Sequence, residues 1–495
     1  MTEPSSSLTS QVASFGAVQV LYKLRYVVAV PVLARLIGAT GYGTLAVLMA
    51  FAAMVQIVVL MGTNTALTVY IPWVGAPAQR SREFWGVMQT AWGIAAVMVA
   101  LLVLVHRPVL AWCFPAGFRV DYFLCSLVLI PLHATNHLLC AQVVNNQQAR
   151  AYARRIAATS LFGLCSLVIG AWRWGLAGVL AALVLEQVAL ALWVGHLVLH
   201  RDPFVPLRRD GLGSLTRYYG YGLAVLTSGA AAWIVESSDR LLIGKWLPIV
   251  ELGVYQMAYS VCAHIGDLAS PLFSALLPVT ASAVSCNDLP LAKRYLERSY
   301  RMLVLLYLPL VVWVSLEARD LLTLVATPAF ARGAIVVPWV AAGVALNQLL
   351  GVFSYTLHSH KKGQIIMVSV AVAAGVNVVM NLLFIRRFGI VAAAMSTAAA
   401  YATHFFILRL LARRVLPVAL DRAFVLRVLA ATSVMAVAML WVIGRLSQPF
   451  WRLAASGACG VVVCAGMVCL LEGAGGEARR YMRQIVQLAW QPSHQ

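Results

Sequence analysis

Charged residues are scarce in this sequence. Only 11% of its 495 residues are Asp, Glu, Lys or Arg, whereas 62% are hydrophobic, and soluble domains carry about 25% charged residues. The mean hydropathy is +0.85. A water-soluble fold of this length would need more polar surface to cover its core. The apolar runs are long and unbroken, which favours helices over a β-barrel, so we predict an all-α polytopic membrane protein.

Sequence motifs for catalysis and metal binding are also missing. None of the nine cysteines forms a C-x-x-C pair, and most lie within apolar runs, so we interpret them as small core residues. The sequence contains no GxxxxGK[ST] phosphate-binding loop and no G-x-S-x-G nucleophile motif. We therefore predict a protein that is not an enzyme and that uses no cofactor and no metal.

Acidic residues are outnumbered, with 17 Asp and Glu against 37 Lys and Arg. The net charge of +20 does not indicate nucleic-acid binding, because the cations sit in short clusters between apolar runs. Those clusters fall mostly in alternate loops, which predicts both termini on the cytoplasmic side. The first residues, MTEPSSSLTSQ, lack a basic region and a cleavage site, so we expect this segment to be retained.

Apolar runs long enough to cross a bilayer recur along the chain. A membrane-spanning helix needs about 20 apolar residues, and the sequence holds about fourteen such runs. We group them into four predicted regions: an N-terminal six-helix lobe (1–210), a C-terminal six-helix lobe (211–415), spans thirteen and fourteen (416–472) and a cytoplasmic tail (473–495).

The two lobes are predicted from an internal repeat. ARLIGATGYGTLAV resembles DRLLIGKWLPIVELGVYQMA, NHLLCAQVVNNQQARAY resembles NQLLGVFSYTLHSHKKGQ, and GLAGVLAAL resembles GIVAAAMST. Six spans is an even number, so both copies enter the membrane from the same side. Parallel repeats of this kind form two lobes around a central cavity. The aligned pairs are Arg35 with Arg240, Asn136 with Asn347, and Gly175 with Gly389.

The repeated segments resemble a known family. VPVLARLIGATGYGTLAVL followed by VVLMGTNTALTVYIP looks like the opening of Wzx-type polysaccharide flippases, and SSDRLLIGKWLPIVELGVYQMAYSV looks like their seventh and eighth spans. The resemblance covers spans one to twelve. It implies membership of the multidrug/oligosaccharidyl-lipid/polysaccharide exporter superfamily, which also contains MurJ-like lipid II flippases and MATE drug antiporters.

The resemblance also implies a function. Wzx-type flippases move undecaprenyl-pyrophosphate-linked oligosaccharide repeat units across the bacterial inner membrane by alternating access, for exopolysaccharide, capsule or O-antigen synthesis. The expected partners are this lipid-linked oligosaccharide, membrane lipids, a polysaccharide polymerase and chain-length machinery, with no nucleic acid.

Four cations fall inside predicted spans: Lys23, Arg25, Arg35 and Arg240. A charge at the centre of a membrane helix costs about 2.5–3.5 kcal/mol on insertion scales, so such residues usually face a protein interior or an aqueous cavity. A pyrophosphate would need counter-charges of this kind. We predict a cationic, substrate-binding cavity, although Lys23 could instead reach the inner headgroups by snorkelling.

Four further residues are candidates for coupling or gating. Glu236 and Asp239 share one helical face with Arg240, and His264 shares a face with Asp267 in the next span. A carboxylate beside a histidine could carry a proton. The alternative for both groups is structural, namely a self-satisfied ion cluster and a hydrogen-bonded pair.

Three other functions fit parts of the sequence. A MATE-type proton- or sodium-coupled antiporter would use the acidic residues Glu236 and Asp267, but Lys23 and Arg25 argue against a cavity for cations. A lipid II flippase differs only in the sugar headgroup. A membrane-embedded glycosyltransferase or polymerase would need a long outer loop, and the longest ones here, near 106–119 and 317–332, are short.

Overall fold

The computed structural model describes residues 5–146, 148–207, 212–419 and 421–472, and gives only the backbone for residues 5–24. This part of the chain is mostly helical and contains no β-strand, which confirms the all-α prediction. Its sixteen helices are α1 (Ser5–Leu60), α2 (Thr63–Tyr70), α3 (Pro77–Leu104), α4 (His106–Cys113), α5 (Val120–Leu127), α6 (Leu129–Asn145), α7 (Ala149–Leu199), α8 (Leu212–Trp246), α9 (Ile249–Gly266), α10 (Ser270–Ser285), α11 (Leu289–Leu316), α12 (Ala318–Val325), α13 (Val337–Ser359), α14 (Gly363–Ala412), α15 (Arg422–Ile443) and α16 (Pro449–Glu472).

Ten helical segments within the described ranges are long and apolar enough to cross a membrane. Many large apolar side chains are exposed on their outer faces, including Leu104 (80%), Trp172 (74%) and Val461 (71%). Exposed apolar surface of this extent is unusual for a soluble monomer and is typical of helices that face lipid. The polytopic membrane fold is therefore confirmed, while the number of fourteen spans remains a prediction.

Three of the longest helices are interrupted at one glycine each. Gly38, Gly175 and Gly389 have φ between 57° and 66° with ψ between −179° and −136°, a conformation that only glycine adopts readily. In a continuous helix residues eight apart are separated by about 12 Å. A Cβ placed on Gly170 would instead lie 2.5 Å from the carbonyl oxygen of Gly178, so α7 reverses direction at Gly175.

A second close helix contact joins the two copies of the predicted repeat. A Cβ placed on Gly43 of α1 would lie 2.8 Å from the backbone nitrogen of Gly253 of α9, and one placed on Gly253 would lie 3.1 Å from the nitrogen of Gly43. Only glycine at both positions allows the two backbones to approach this closely, as in other small-residue crossings of membrane helices. We call this contact the glycine crossing.

The helices pack into two compact units. One comprises Met1–Ser260 and Val370–Ala400, and the other comprises Val261–Ser369 and Tyr401–Gln495. The core of the second unit includes Tyr307 of α11, Phe353 of α13 and Val428 of α15, and α15 packs on α16 in a smaller cluster. The predicted lobe boundaries at residues 210 and 415 remain a prediction.

Candidate functional site

Arg25 of α1 forms a buried ion pair with Glu186 of α7. Two guanidinium nitrogens donate to the two carboxylate oxygens, and both side chains are only 3% exposed. A Cβ on Gly163 would lie 2.6 Å from the Glu186 carboxyl carbon and 3.0 Å from Arg25 Nη1, so only glycine leaves room for the pair. Arg25 also lies 5.0 Å from the ring centre of Tyr26. The resting pair carries no net charge.

Asp239 lies in a fully buried polar cluster where α8 meets α9 and α14. Its carboxylate accepts hydrogen bonds from the Tyr255 hydroxyl, from the Arg240 backbone N–H at 2.8 Å and from the Thr397 hydroxyl at 3.5 Å. Nearby, the Asn381 amide donates to Asn377 at 2.9 Å. Asp239 is thus held by donors from three helices, which fixes the carboxylate without requiring a single strong partner.

The guanidinium of Arg240 makes several weaker contacts. It donates to Gln256 Oε1 at 2.6 Å and to the backbone carbonyl of Glu236, and its Nη1 lies 3.3 Å from Asp239. The guanidinium carbon lies 4.4 Å from the ring centre of Tyr259, a stabilising cation–π geometry. Arg240 is 8% exposed, so the arginine and its acid form a compact, nearly neutral group.

The glutamate of the same segment, Glu236, is in a different environment. Successive residues of an α-helix turn by about 100°, so Tyr218, Gly222, Gly229, Glu236 and Ile243 form one stripe along α8. Tyr218, Gly222 and Ile243 are buried, whereas Gly229 and Glu236 are exposed. A Cβ on Gly229 would meet no atom within 4 Å. The protein-facing stripe of α8 therefore borders open space in its middle, and we call Gly229–Glu236 the open stretch.

The carboxylate of Glu236 has no hydrogen bond or ion pair in the described part of the chain, whereas Asp239 and Glu186 have both. An exposed carboxylate on a stripe that also carries buried residues can accept hydrogen bonds from hydroxyl groups or bind a cation. It is the most accessible acid of the α8 segment.

The remaining predicted site residues lie elsewhere. Arg35 is exposed on α1, although the repeat aligns it with the buried Arg240. Lys23 lies outside the residues whose side chains the structure describes. His264 Nδ1 and Asp267 Oδ2 are 3.8 Å apart, with side-chain exposures of 27% and 40%. This pair lies at the short 3₁₀ turn between α9 and α10, within the second compact unit.

Several partners in these clusters were not identified from the sequence as site residues. The predicted site residues do not include Glu186, and its distance of 161 residues from Arg25 gives no local signal. Tyr255, Gln256 and Thr397 are residue types that are common on helix surfaces, so nothing in the sequence marks them as site residues. Within the described residues no group of three or more His, Cys, Asp and Glu side chains is arranged to hold a metal ion.

Family comparisons give two matches along the chain. The family model described as Polysaccharide biosynthesis protein matches residues 32–332, and the model described as Lipid II flippase MurJ matches residues 253–454. A sequence comparison with curated proteins finds no match.

Solved structures share the fold at low sequence identity. "Lipid II flippase MurJ, inward closed conformation" superposes with a TM-score of 0.75 at 12% identity, covering 95% of this chain and 99% of that chain. An inward-facing multidrug resistance MATE family transporter of the MOP superfamily gives 0.59 at 13% identity, covering 79% and 95%. A MOP superfamily transporter from Pyrococcus furiosus gives 0.51 at 13% identity, covering 83% and 95%.

These similarities to solved structures show the fold of this chain and do not identify its substrate. The first family model spans more than half of the sequence and includes Glu186 of α7 and the α8 residues described above, while Arg25 precedes the matched residues. The chain therefore belongs to the polysaccharide biosynthesis protein family, within the exporter superfamily that its repeated motifs resemble.

Proposed function

We propose that this protein is a flippase that moves an undecaprenyl-pyrophosphate-linked oligosaccharide across the bacterial inner membrane, with both termini in the cytoplasm. The observation that carries the proposal is the open stretch of α8. A sugar headgroup cannot cross hydrocarbon without polar partners, and the open stretch presents a carboxylate on a protein-facing stripe of a long helix. Family membership supports the same function.

The headgroup and the diphosphate call for different partners. Sugar hydroxyls donate hydrogen bonds to carboxylates, and Glu236 is the accessible acid. The diphosphate needs cations, for which we propose Lys23, Arg25, Arg35 and Arg240. Arg25 and Arg240 are already paired with carboxylates, so we propose that each exchanges part of its pairing for phosphate oxygens as substrate binds. Asp239 then positions Arg240, and His264 with Asp267 remains a proposed coupling pair.

Reconstitution of the full chain tests the proposal. Liposomes that contain the purified protein and a fluorescent undecaprenyl-pyrophosphate-linked oligosaccharide should expose the sugar to an added glycosidase faster than protein-free liposomes do. Glu236→Gln should slow this exposure by about tenfold, the loss expected for about 1.4 kcal/mol of binding. Asp121→Asn is the matched control, since Asp121 pairs with Arg119 on an exposed surface.

The carboxylate of Glu236 also favours a second candidate function. An exposed acid on the α8 stripe could also bind an organic cation in a MATE-type, proton- or sodium-coupled antiporter. The same liposomes loaded with a fluorescent cationic dye distinguish the two functions. Dye efflux that depends on Glu236, together with oligosaccharide exposure equal to that of empty liposomes, would overturn the flippase proposal in favour of the antiporter.

The preferred glycan and the assembly partners belong to the same proposal. A lipid II headgroup and a longer repeat unit share the diphosphate and differ in the sugars, so both should be assayed in the same liposomes. We also propose that a polysaccharide polymerase and chain-length machinery receive the product, because a translocated repeat unit must be joined to others to form a polymer.

A further inference from the structure

A buried acid at the start of α3 contacts the first turns of α8. Glu83 has a side chain only 3% exposed, and it accepts hydrogen bonds from Arg217 Nη2, from the Tyr218 hydroxyl at 2.5 Å and from Gln79 Nε2 at 3.0 Å. The Arg217 side chain is 42% exposed. The acid is therefore enclosed by its partners while the arginine borders the surface.

Aromatic rings surround this ion pair. The guanidinium carbon of Arg217 lies 5.7 Å from the ring centre of Tyr70 and 5.1 Å from that of Tyr218. Tyr70 in turn meets Tyr218 and Tyr221 edge to face, at centroid distances of 5.7 and 5.6 Å. These contacts hold the end of α2 and the beginning of α8 together, with Arg217 between them.

Next to the ion pair, two glycines bring the same helices into backbone contact. A Cβ on Gly62 would lie 3.1 Å from the Cα of Gly222, and a Cβ on Gly222 would overlap the carbonyl oxygen of Met61. Gly222 lies one turn beyond Tyr218 on the stripe of α8 that later carries Glu236. The approach of α8 to the α1–α2 junction thus depends on glycine.

These contacts join segments that the sequence assigns to different lobes. Glu83 and Tyr70 precede residue 210, whereas Arg217 and Tyr218 follow it. They lie at the end of α8 that the charge distribution predicts to be cytoplasmic. The glycine crossing joins the same two lobes near the other end of α8, since Gly253 lies at the start of α9, which begins at Ile249 shortly after α8 ends at Trp246. At that end Lys245, about 42 Å further along α8 than Arg217, contacts the carbonyl of Ala111 in α4. The open stretch lies between the two contact zones.

We propose that Glu83, Arg217 and Tyr218 form a cytoplasmic latch that closes the space beside the open stretch and must separate to admit substrate. This inference rests on the proposed function and on the predicted orientation. An ion pair is suited to a contact that must separate, because the separated carboxylate of Glu83 and guanidinium of Arg217 can be hydrated by the water that enters. The glycine crossing at the other end, between α1 and α9, is a direct contact of two backbones, so the contacts at the two ends are built to separate by different means.

Accessibility to a thiol reagent tests the latch without any substrate. A cysteine placed by Gly229→Cys, where a side chain has open space, reports on the open stretch. In vesicles with the cytoplasmic face outward, a membrane-impermeant maleimide should label it slowly, after subtraction of labelling at the native cysteines. Glu83→Gln added to Gly229→Cys should accelerate labelling about fivefold or more, because loss of the latch shifts the population towards an open state.

Two further variants separate a latch from a general loss of folding. The exchange Glu83→Arg with Arg217→Glu should return labelling towards the slow rate, because the opposite charges are restored. Gly222→Ala should accelerate labelling without any change of charge, since its Cβ would push against Met61. Arg119→Gln is the matched control, because it breaks an ion pair that is 64% and 53% exposed, and it should leave the rate unchanged.

The outcomes distinguish the latch from the proposed function. Unchanged labelling in both Glu83→Gln and Gly222→Ala, at normal protein levels in the membrane, would overturn the latch, whatever the flipping assay shows. Accelerated labelling with no oligosaccharide exposure in liposomes would support the latch and remove the flippase proposal. Failure of the charge exchange to slow labelling would also count against the latch, since a hydrogen-bonded ion pair should be recovered.

Discussion

The two buried arginines in the described part of the chain, Arg25 and Arg240, are stabilised in different ways. Arg25 pairs with the carboxylate of Glu186, which lies in another helix and 161 residues away. Arg240 has a neighbouring acid, a glutamine, a backbone carbonyl and an aromatic ring, all within 20 residues of itself. A long-range ion pair fixes two helices together, and the loss of one member leaves the other charge buried without it. Several local contacts fix one side chain and tolerate the loss of any one partner.

Identical substitutions at the two arginines test this difference most strongly. Arg25→Gln leaves the buried Glu186 carboxylate without its cation, which should cost about 3–5 kcal/mol of stability. Arg240→Gln leaves Asp239 with the Tyr255 and Thr397 hydroxyls, so the cost should be about 1–3 kcal/mol. Thermal unfolding of both variants in detergent compares them directly. Equal losses at the two sites would contradict the distinction.

Gly163→Ala should have an intermediate effect. The added methyl group would lie 2.6 Å from the Glu186 carboxyl carbon and must displace the ion pair or the backbone. Overpacking of this kind costs about 1–3 kcal/mol. Gly229→Ala is the control, because its Cβ would meet nothing within 4 Å. A drop in unfolding temperature for Gly163→Ala no larger than that for Gly229→Ala would show that the pair has room to move.

The smallest effect is expected at a third buried acid, Glu317, whose hydrogen-bond donor is a serine hydroxyl. Glu317 follows α11, is 2% exposed and accepts a hydrogen bond from the Ser456 hydroxyl at 2.6 Å. Burial raises the pKa of Glu317 above its ordinary value of 4.5, an effect that the Ser456 hydrogen bond partly opposes. A carboxyl whose folded pKa is raised destabilises the fold when ionised, so its contribution becomes more favourable as pH falls through the folded pKa towards 4.5.

Glu317→Gln should therefore remove a small part of the pH dependence of unfolding. The wild-type protein should gain unfolding temperature relative to Glu317→Gln when the pH falls from 8 to 5. Asp121, whose pair with Arg119 is exposed, provides the control through Asp121→Asn. An identical pH profile for wild type and Glu317→Gln would mean that the carboxyl titrates normally.

The fold was predictable because its signals are local. Apolar runs predict the helices, and the alignment of Gly175 with Gly389 pairs two positions that have the same left-handed backbone and the same helix break. The exporter superfamily followed from the repeated motifs and is confirmed by the family match.

The candidate site was less predictable, because its partners are distant in the sequence. Glu186 and Thr397 reach Arg25 and Asp239 across 161 and 158 residues, and no pattern within one helix records that proximity. The repeat aligned Arg35 with Arg240, yet one is exposed and the other buried. Burial depends on the neighbouring helices, which differ between two copies even where their sequences correspond.

The glycine crossing has a consequence for the origin of the chain. In a symmetric dimer, a residue on the twofold axis meets its own copy in the partner. Gly43 and Gly253 lie in the two aligned segments ARLIGATGYGTLAV and DRLLIGKWLPIVELGVYQMA of the predicted repeat, and they meet each other through their backbones. If the two glycines descend from one position, a six-span ancestor that dimerised through that glycine would, after gene duplication and fusion, leave the contact observed here. Since one gene copy would have encoded both sides, replacement of that glycine would have disrupted the interface twice, whereas either side can now be replaced alone.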